Sequence, residues 1–200
     1  FKLERDTDTR LYLAQRFVQG EDLDKRFEKH RFDETEAWLI AAHVLGVLHY
    51  LHGCSPQILH RDIKPSNIIR AKDGRYHLVD FGAARDLRLT VQASIAGTPG
   101  YMSPEQMFGR AEAKSDLYGL GMTLARLLSR REPSELITPD NRGVMVAPYV
   151  NASDGFIQFL SKLLKHDPGE RFATARAAGV ALQKLRPARE GDRDEQGTDR

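Results

Sequence analysis

Four polar residues crowd into a stretch of nineteen positions: Asp62, Lys64, Asn67 and Asp80. They supply two carboxylates, a cation and an amide. Asp62 and Lys64 put a base beside a positive charge. Asn67 and Asp80 offer the hard oxygen donors that Mg²⁺ prefers. A base, a cation and a hard-metal site on one rim are the parts that phosphoryl transfer needs, because that reaction depends on positioning and charge neutralisation.

Something must bring these groups together. Ile68-Ile69-Arg70 and Tyr76-His77-Leu78-Val79 are two apolar runs, and Lys72-Asp73-Gly74-Arg75 lies between them. An Asp-Gly turn between apolar runs predicts a β-hairpin. A hairpin brings its ends together, so Asn67 and Asp80 are expected side by side, with Asp62 and Lys64 on the same rim.

The wording of the stretch resembles the catalytic and metal-binding loops of the protein kinases, in their Ser/Thr branch. His60-Arg61-Asp62 with Asn67 matches the catalytic loop, and Asp80-Phe81-Gly82 the metal-binding loop. Lys64 is the form usual in Ser/Thr members. Three further blocks follow in the family's order: Gly97-Thr98-Pro99-Gly100-Tyr101-Met102-Ser103-Pro104-Glu105, Ser115-Asp116-Leu117-Tyr118-Gly119-Leu120-Gly121 and Asp167-Pro168-Gly169-Glu170-Arg171-Phe172. The wording through Gln106 is most similar to bacterial members.

The resemblance implies an α+β, kinase-like fold, mostly the helical C-terminal lobe plus the last two strands of the N-terminal lobe and the hinge. It implies Asp62 and Lys64 as catalytic residues, and Asn67 and Asp80 as Mg²⁺ ligands. For ATP it implies Gln15 at the gatekeeper position, the backbone of Arg16 and Val18 on adenine, Asp22, and Ile69 as the adenine floor. Asp116 would hold the backbone of the catalytic loop, and Arg171 would form a buried ion pair with Glu105. Thr98 would bond Asp62 and Lys64. Thr90 or Ser94 would carry an activating phosphate able to pair with Arg61.

Bulk properties agree with one ordinary domain. The chain has 200 residues, 40% of them hydrophobic and 29% charged, which lies outside the disordered class. A net charge of +2 argues for neither nucleic acid nor a membrane surface as partner. The single cysteine, Cys54, excludes an internal disulfide and fits a reducing compartment, so a cytoplasmic location is expected. No apolar run reaches the ~18 residues of a membrane span.

Along the chain, residues 1–18 read as a hairpin with its turn at Asp6-Thr7-Asp8-Thr9 and a strand from Leu11 to Val18. Leu23 to His30 reads as a short helix. Asp33 with Glu36 forms a capping-box pattern before a helix carrying Ala37, Ala41, Val44, Leu48 and Leu51. His43, His49 and His52 read as packing or surface residues without a carboxylate partner, and Trp38 as a core filler. Residues 83–105 read as a loop, Ser115–Arg130 as a helix, and 131–152 as a loop rich in Pro, Asn and Gly. Helices then cover Phe156–Leu164 and the stretch after Thr174, with Ala177, Ala178, Ala181, Leu182 and Leu185 on one face. From Pro187 to Arg200 the composition predicts a disordered tail or linker. The domain is therefore expected over 1–186 and the tail over 187–200.

A whole kinase also has a Gly-rich loop, a strand lysine and a helix glutamate. No Gly-x-Gly-x-x-Gly occurs in the 200 residues, the chain opens on Phe1, and Lys2 lies on a later strand. The expectation is a fragment truncated on its N-terminal side, with little activity by itself. The alternative is a non-catalytic, pseudokinase-like scaffold. A small-molecule phosphotransferase fits less well, because the Gly97–Glu105 block serves peptide substrates.

Overall fold

A computed structural model describes residues 2–5, 8–11, 16–81, 85–86, 96–140 and 142–186, with backbone alone at 2–5, 8–11 and 85–86. Two strands come first, β1 (Lys2–Arg5) and β2 (Asp8–Leu11), paired antiparallel from Lys2↔Leu11 to Arg5↔Asp8. β2 therefore starts at Asp8, inside the expected turn, and includes Leu11, where the expected strand began. Residues 16–19 are irregular, so the strand does not run to Val18.

The rest of the described residues form a helical body carrying two small sheets. β3 (Gly20–Asp22) leads into α1 (Leu23–Lys29), and Asp22 caps that helix by accepting the Lys25 N–H. α2 (Glu34–His52) follows, then β4 (Ile58–Leu59), a 3-10 turn (Pro65–Asn67), β5 (Ile68–Ala71) and β6 (Tyr76–Leu78). β3, β5 and β6 form an antiparallel sheet in that order. β7 (Arg85–Asp86) pairs with β4, and α3 (Pro104–Met107) follows, so both ends of the expected 83–105 loop carry regular structure.

α4 (Ala113–Ser129) is the centre of the core, with an unbroken buried run from Ser115 to Ala125. α6 (Asp154–Leu163) buries Phe156, Phe159, Leu160 and Leu163, and α7 (Ala175–Gln183) buries Ala175, Ala178 and Leu182. Both pack on α4, and α2 packs on α4 and α7. Ala177, expected on the inner face of α7, is exposed, and Ala175 takes that place. Trp38 fills the α2–α7 groove, its indole N–H donating to the Leu182 carbonyl at 2.9 Å.

Two further differences have clear causes. The 131–152 stretch contains a short helix, α5 (Pro133–Leu136), and a bridge between Ile137 and Val144. Proline in its first turn, reciprocal capping by Glu132 and Glu135, and full burial of Leu136 hold it. At α2, Asp33 accepts the Glu36 N–H as expected. The Glu36 carboxylate does not reach back. It accepts from the Tyr76 hydroxyl at 2.6 Å and from Arg26 at 3.1 Å, and contacts His30. A tertiary polar cluster outcompetes the local box.

β3 lies so close to β5 that only glycine fits at position 20. A Cβ there would stand 2.3 Å from the Arg70 carbonyl oxygen and 2.7 Å from Ile69 Cγ2. Gly20→Ala should therefore cost ~1–3 kcal/mol, as overpacking against backbone does. Chemical denaturation would report this as a lower midpoint; an unchanged midpoint would mean that the two strands are not in close contact.

Candidate active site

The hairpin places the four polar residues of the opening stretch on one edge. Ile68 pairs with Leu78, and the Val79 N–H donates to the Asn67 carbonyl at 2.9 Å, so Asn67 and Val79 close its open end. Asp80 follows at once. The 3-10 turn, with Pro65 in its first positions, turns the chain from Asp62 and Lys64 into β5.

Three side chains, Asp62, Lys64 and Thr98, form a closed ring there, and Asn67 joins it at Asp62. Lys64 Nζ lies 2.9 Å from Asp62 Oδ2 and donates to Thr98 Oγ1 at 2.6 Å. The Thr98 hydroxyl donates in turn to Asp62 Oδ1 at 2.7 Å. Asn67 Nδ2 donates to Asp62 Oδ2 at 3.1 Å and to the Asp62 carbonyl at 2.8 Å. Thr98 thus makes both bonds expected of it. Burial works to raise the Asp62 carboxyl, but hydrogen bonds from Lys64, Thr98 and Asn67 and the lysine charge outweigh it, holding the group below its ordinary value. Asp62 is an anion at neutral pH.

The loop backbone is held from below. Asp116 is 1% exposed and accepts the N–H of His60 at 3.0 Å and of Arg61 at 2.7 Å. His52 Nε2 donates to the same carboxylate at 2.8 Å. That carboxylate partner for His52 is a correction to the sequence reading. It lies sixty-four residues away, and no spacing rule links an α2 histidine to an α4 aspartate. His60, fully buried, braces the loop from above. Its Nε2 donates to the Val79 carbonyl at 3.1 Å, its Nδ1 faces the Asp62 N–H at 3.4 Å, and its ring meets Phe81 edge-on at 5.0 Å. Burial keeps His60 below its ordinary pKa, so it stays neutral, with the proton on Nε2.

Backbone strain marks the same edge. Arg61 and Asp80 are non-glycine residues in the left-handed region, at φ 65° and 63°.

The residues expected at ATP divide. Asp22 and Ile69 are partners across β3 and β5. Arg16 and Val18 lie in the irregular stretch just before β3, Arg16 exposed and Val18 half-buried. Asp22 is also engaged, capping α1 and pairing with Lys25 Nζ at 2.9 Å. Gln15, Gly82, Thr90 and Ser94 lie outside the described residues.

The donor set fits Mg²⁺. With its nitrogen committed to Asp62, the Asn67 amide presents its oxygen as the remaining hard donor, and Asp80 brings a carboxylate to the same hairpin end. Among the described residues no three of His, Cys, Asp and Glu gather into a metal cluster. Mg²⁺ does not require one, since it takes one or two protein ligands with substrate phosphates and water.

α3 is anchored by Arg171. All five of its N–H groups are used: Nη1 and Nη2 grip Glu105 at 2.8 and 2.9 Å, and the others reach the carbonyls of Lys165, Lys114 and His166. Glu105 also accepts from the hydroxyls of Ser103 and Ser115, each at 2.6 Å. Burial works to raise the Glu105 carboxyl, but Arg171 and the two serines dominate and pull it down to about 2.

The sequence of residues 3–181 matches the model of the protein kinase domain. The chain is similar to the serine/threonine-protein kinase PknA of Nostoc sp., 38% identical over 189 residues, covering 88% of this chain and 33% of that protein. It is 35% identical over 176 residues to serine/threonine-protein kinase F of Synechocystis sp., covering 84% and 35%. Against serine/threonine-protein kinase D of the same organism it is 33% identical over 189 residues, covering 89% and 36%. The chain thus spans about a third of the length of these curated relatives.

The Glu105 shift has a signed consequence. Its folded value is depressed from 4.5 to about 2, so its stabilisation is complete above pH 4.5 and is lost as pH falls toward 2. At ~1.4 kcal/mol per pH unit this is about 3 kcal/mol. Unfolding free energies measured from pH 6 to 2.5 should fall steeply in the wild type and less steeply in Glu105→Gln, whose slope lacks one proton. Equal slopes would show that Glu105 does not carry the effect.

Proposed function

The chain belongs to the protein kinase family, and we propose from that premise that it carries the catalytic edge of an enzyme transferring the γ-phosphate of ATP to Ser or Thr hydroxyls of proteins. The observation that supports this best is the closed ring of Asp62, Lys64 and Thr98, with Asn67 bonded to Asp62.

In this reading Asp62, held ionised, orients the substrate hydroxyl and accepts its proton. Lys64, next to it, neutralises charge on the phosphoryl group in transit. Asn67 and Asp80 would hold Mg²⁺, which when bound would neutralise the phosphate charge. Thr98 keeps base and cation in register and shapes the substrate side. The adenine side is the β3–β5 pair, with Ile69 as floor, Asp22 beside it and the backbone of Arg16 and Val18 along its edge. Residues 1–186 make up part of a kinase domain, and 187–200 a tail or linker. Among the described residues no helix is long and apolar enough to cross a membrane. The proposal puts the reaction in the cytoplasm, where ATP is supplied.

The 200 residues contain no Gly-x-Gly-x-x-Gly segment to cover the phosphates. Loss of one positioning group at a developing charge costs ~10²–10³ in rate. The chain by itself should therefore transfer little or no phosphate from Mg-ATP to a protein acceptor, as read by radiolabel incorporation. Joined to a segment that supplies a Gly-rich loop and a strand lysine, it should be active, and Asp62→Asn should lower kcat by ~10²–10⁴ with nucleotide affinity retained. Near-normal turnover by the isolated chain would sink the first claim, and full activity of Asp62→Asn the second.

A further inference from the structure

Gln106 has no part in the chemistry above, yet the residue is only 3% exposed. On α3 it faces inward, while its neighbours Met107 and Phe108 are 41% and 75% exposed. Its amide nitrogen bonds two carbonyl oxygens, that of Arg61 at 2.6 Å and that of Ala96 at 2.7 Å. An Nε2 group carries two hydrogens, so both are used, and two carbonyl partners leave no choice of amide orientation. Gly97 packs onto the same group. A Cβ at Gly97 would stand 2.6 Å from Gln106 Nε2 and 2.8 Å from the Arg61 oxygen, at φ +133°. The Ala96–Gly97 segment therefore rests on Gln106 directly above the Arg61 peptide.

That peptide matters because of its strain. Arg61 has φ 65° without being glycine. Such a conformation persists where the surroundings over-determine it. Its N–H is held by Asp116 on α4 at 2.7 Å and its carbonyl by Gln106 on α3. The Arg61 carbonyl belongs to the peptide plane that enters Asp62, so its direction sets where the Asp62 side chain starts.

We propose that Gln106 is a positioning residue for Asp62, a single amide that couples the seating of Ala96–Gly97 to the orientation of the carboxylate. If the segment lifts, one hydrogen of a buried amide loses its acceptor, which favours rearrangement of the amide and release of the Arg61 carbonyl. The coupling is reciprocal: fixing the Arg61 peptide favours the seated segment. The inference rests on the reading of Asp62 as the base.

Amide hydrogen exchange by NMR on the full 200-residue chain tests it without requiring phosphate transfer. In the wild type both side-chain hydrogens of Gln106 should exchange about 100-fold more slowly than those of a free carboxamide. Gln106→Met keeps the length and removes the donor. It should lower protection about tenfold or more at Arg61, Asp62 and Gly97, while amides from Leu120 to Leu124 in α4 stay unchanged. Free-rate exchange of the Gln106 hydrogens in the wild type overturns the proposal, even if the variant does not fold. So does unchanged protection at Arg61 and Asp62 in Gln106→Met, or an even loss across α2 and α4, which would mark a merely structural residue. In a catalytically competent form, Gln106→Met should lower kcat and leave the KM for ATP in place; an unchanged kcat overturns the proposal. A wild type that transfers no phosphate in such a form counts against the proposed function, and the exchange data alone then decide the coupling.

Discussion

The candidate site depends on how one buried carboxylate is satisfied. Asp116 lies inside the core at 1% exposure. An ionised carboxylate is costly there unless hydrogen bonds replace its water. It receives three, from the His60 and Arg61 peptides and from His52. The bonds that make Asp116 tolerable inside the protein are the ones that fasten the loop to α4. Because α4 is buried without a break from Ser115 to Ala125, the loop shares the rigidity of the core. Preorganisation of Asp62 is thus a by-product of solving a solvation problem.

A second buried carboxylate does the same for α3. Four residues cannot hold a helix by themselves, and α3 is placed by the grip of Arg171 on Glu105. The two anchors are joined through Ser115. Its hydroxyl donates to Glu105 and also accepts the Glu112 N–H at the start of α4, one residue before Asp116. The loop bearing Asp62 is therefore held from α4 through Asp116 and from α3 through Gln106, and both supports converge on the first turn of one helix.

This arrangement explains what was legible in the sequence. Periodicity and capping residues are local, so α2, α4, α6 and α7 could be read, as could the caps at Asp33 and Thr174 and the Asp73-Gly74 turn. The polar group of Asp62, Lys64, Asn67 and Thr98 was legible through its motif wording. His52 with Asp116, Glu36 with Tyr76, and Gln106 with Arg61 were not, at separations of 64, 40 and 45 residues. A polar side chain that bonds across the fold leaves no repeat in the sequence. Gln106 was visible only as the residue closing a familiar block. α5 was hidden for a different reason: composition pointed to a loop, and burial of Leu136 decided otherwise.

The strain at this edge shows how tightly the backbone around Asp62 and Asp80 is held. Among the described residues three non-glycines are left-handed: Arg61, Asp80 and Arg130. Arg130 is explained by local structure, since it closes α4 through its N–H to the Arg126 carbonyl. Arg61 and Asp80 close no helix. They bracket the segment from Asp62 to Val79, and each such conformation costs ~1–3 kcal/mol. Here the strain is sustained by named supports: Asp116 and Gln106 at Arg61, and His60 with the hairpin end beside Asp80. Strain at these two positions persists because the surrounding structure over-determines the backbone there, which fixes the directions in which Asp62 and Asp80 leave the chain.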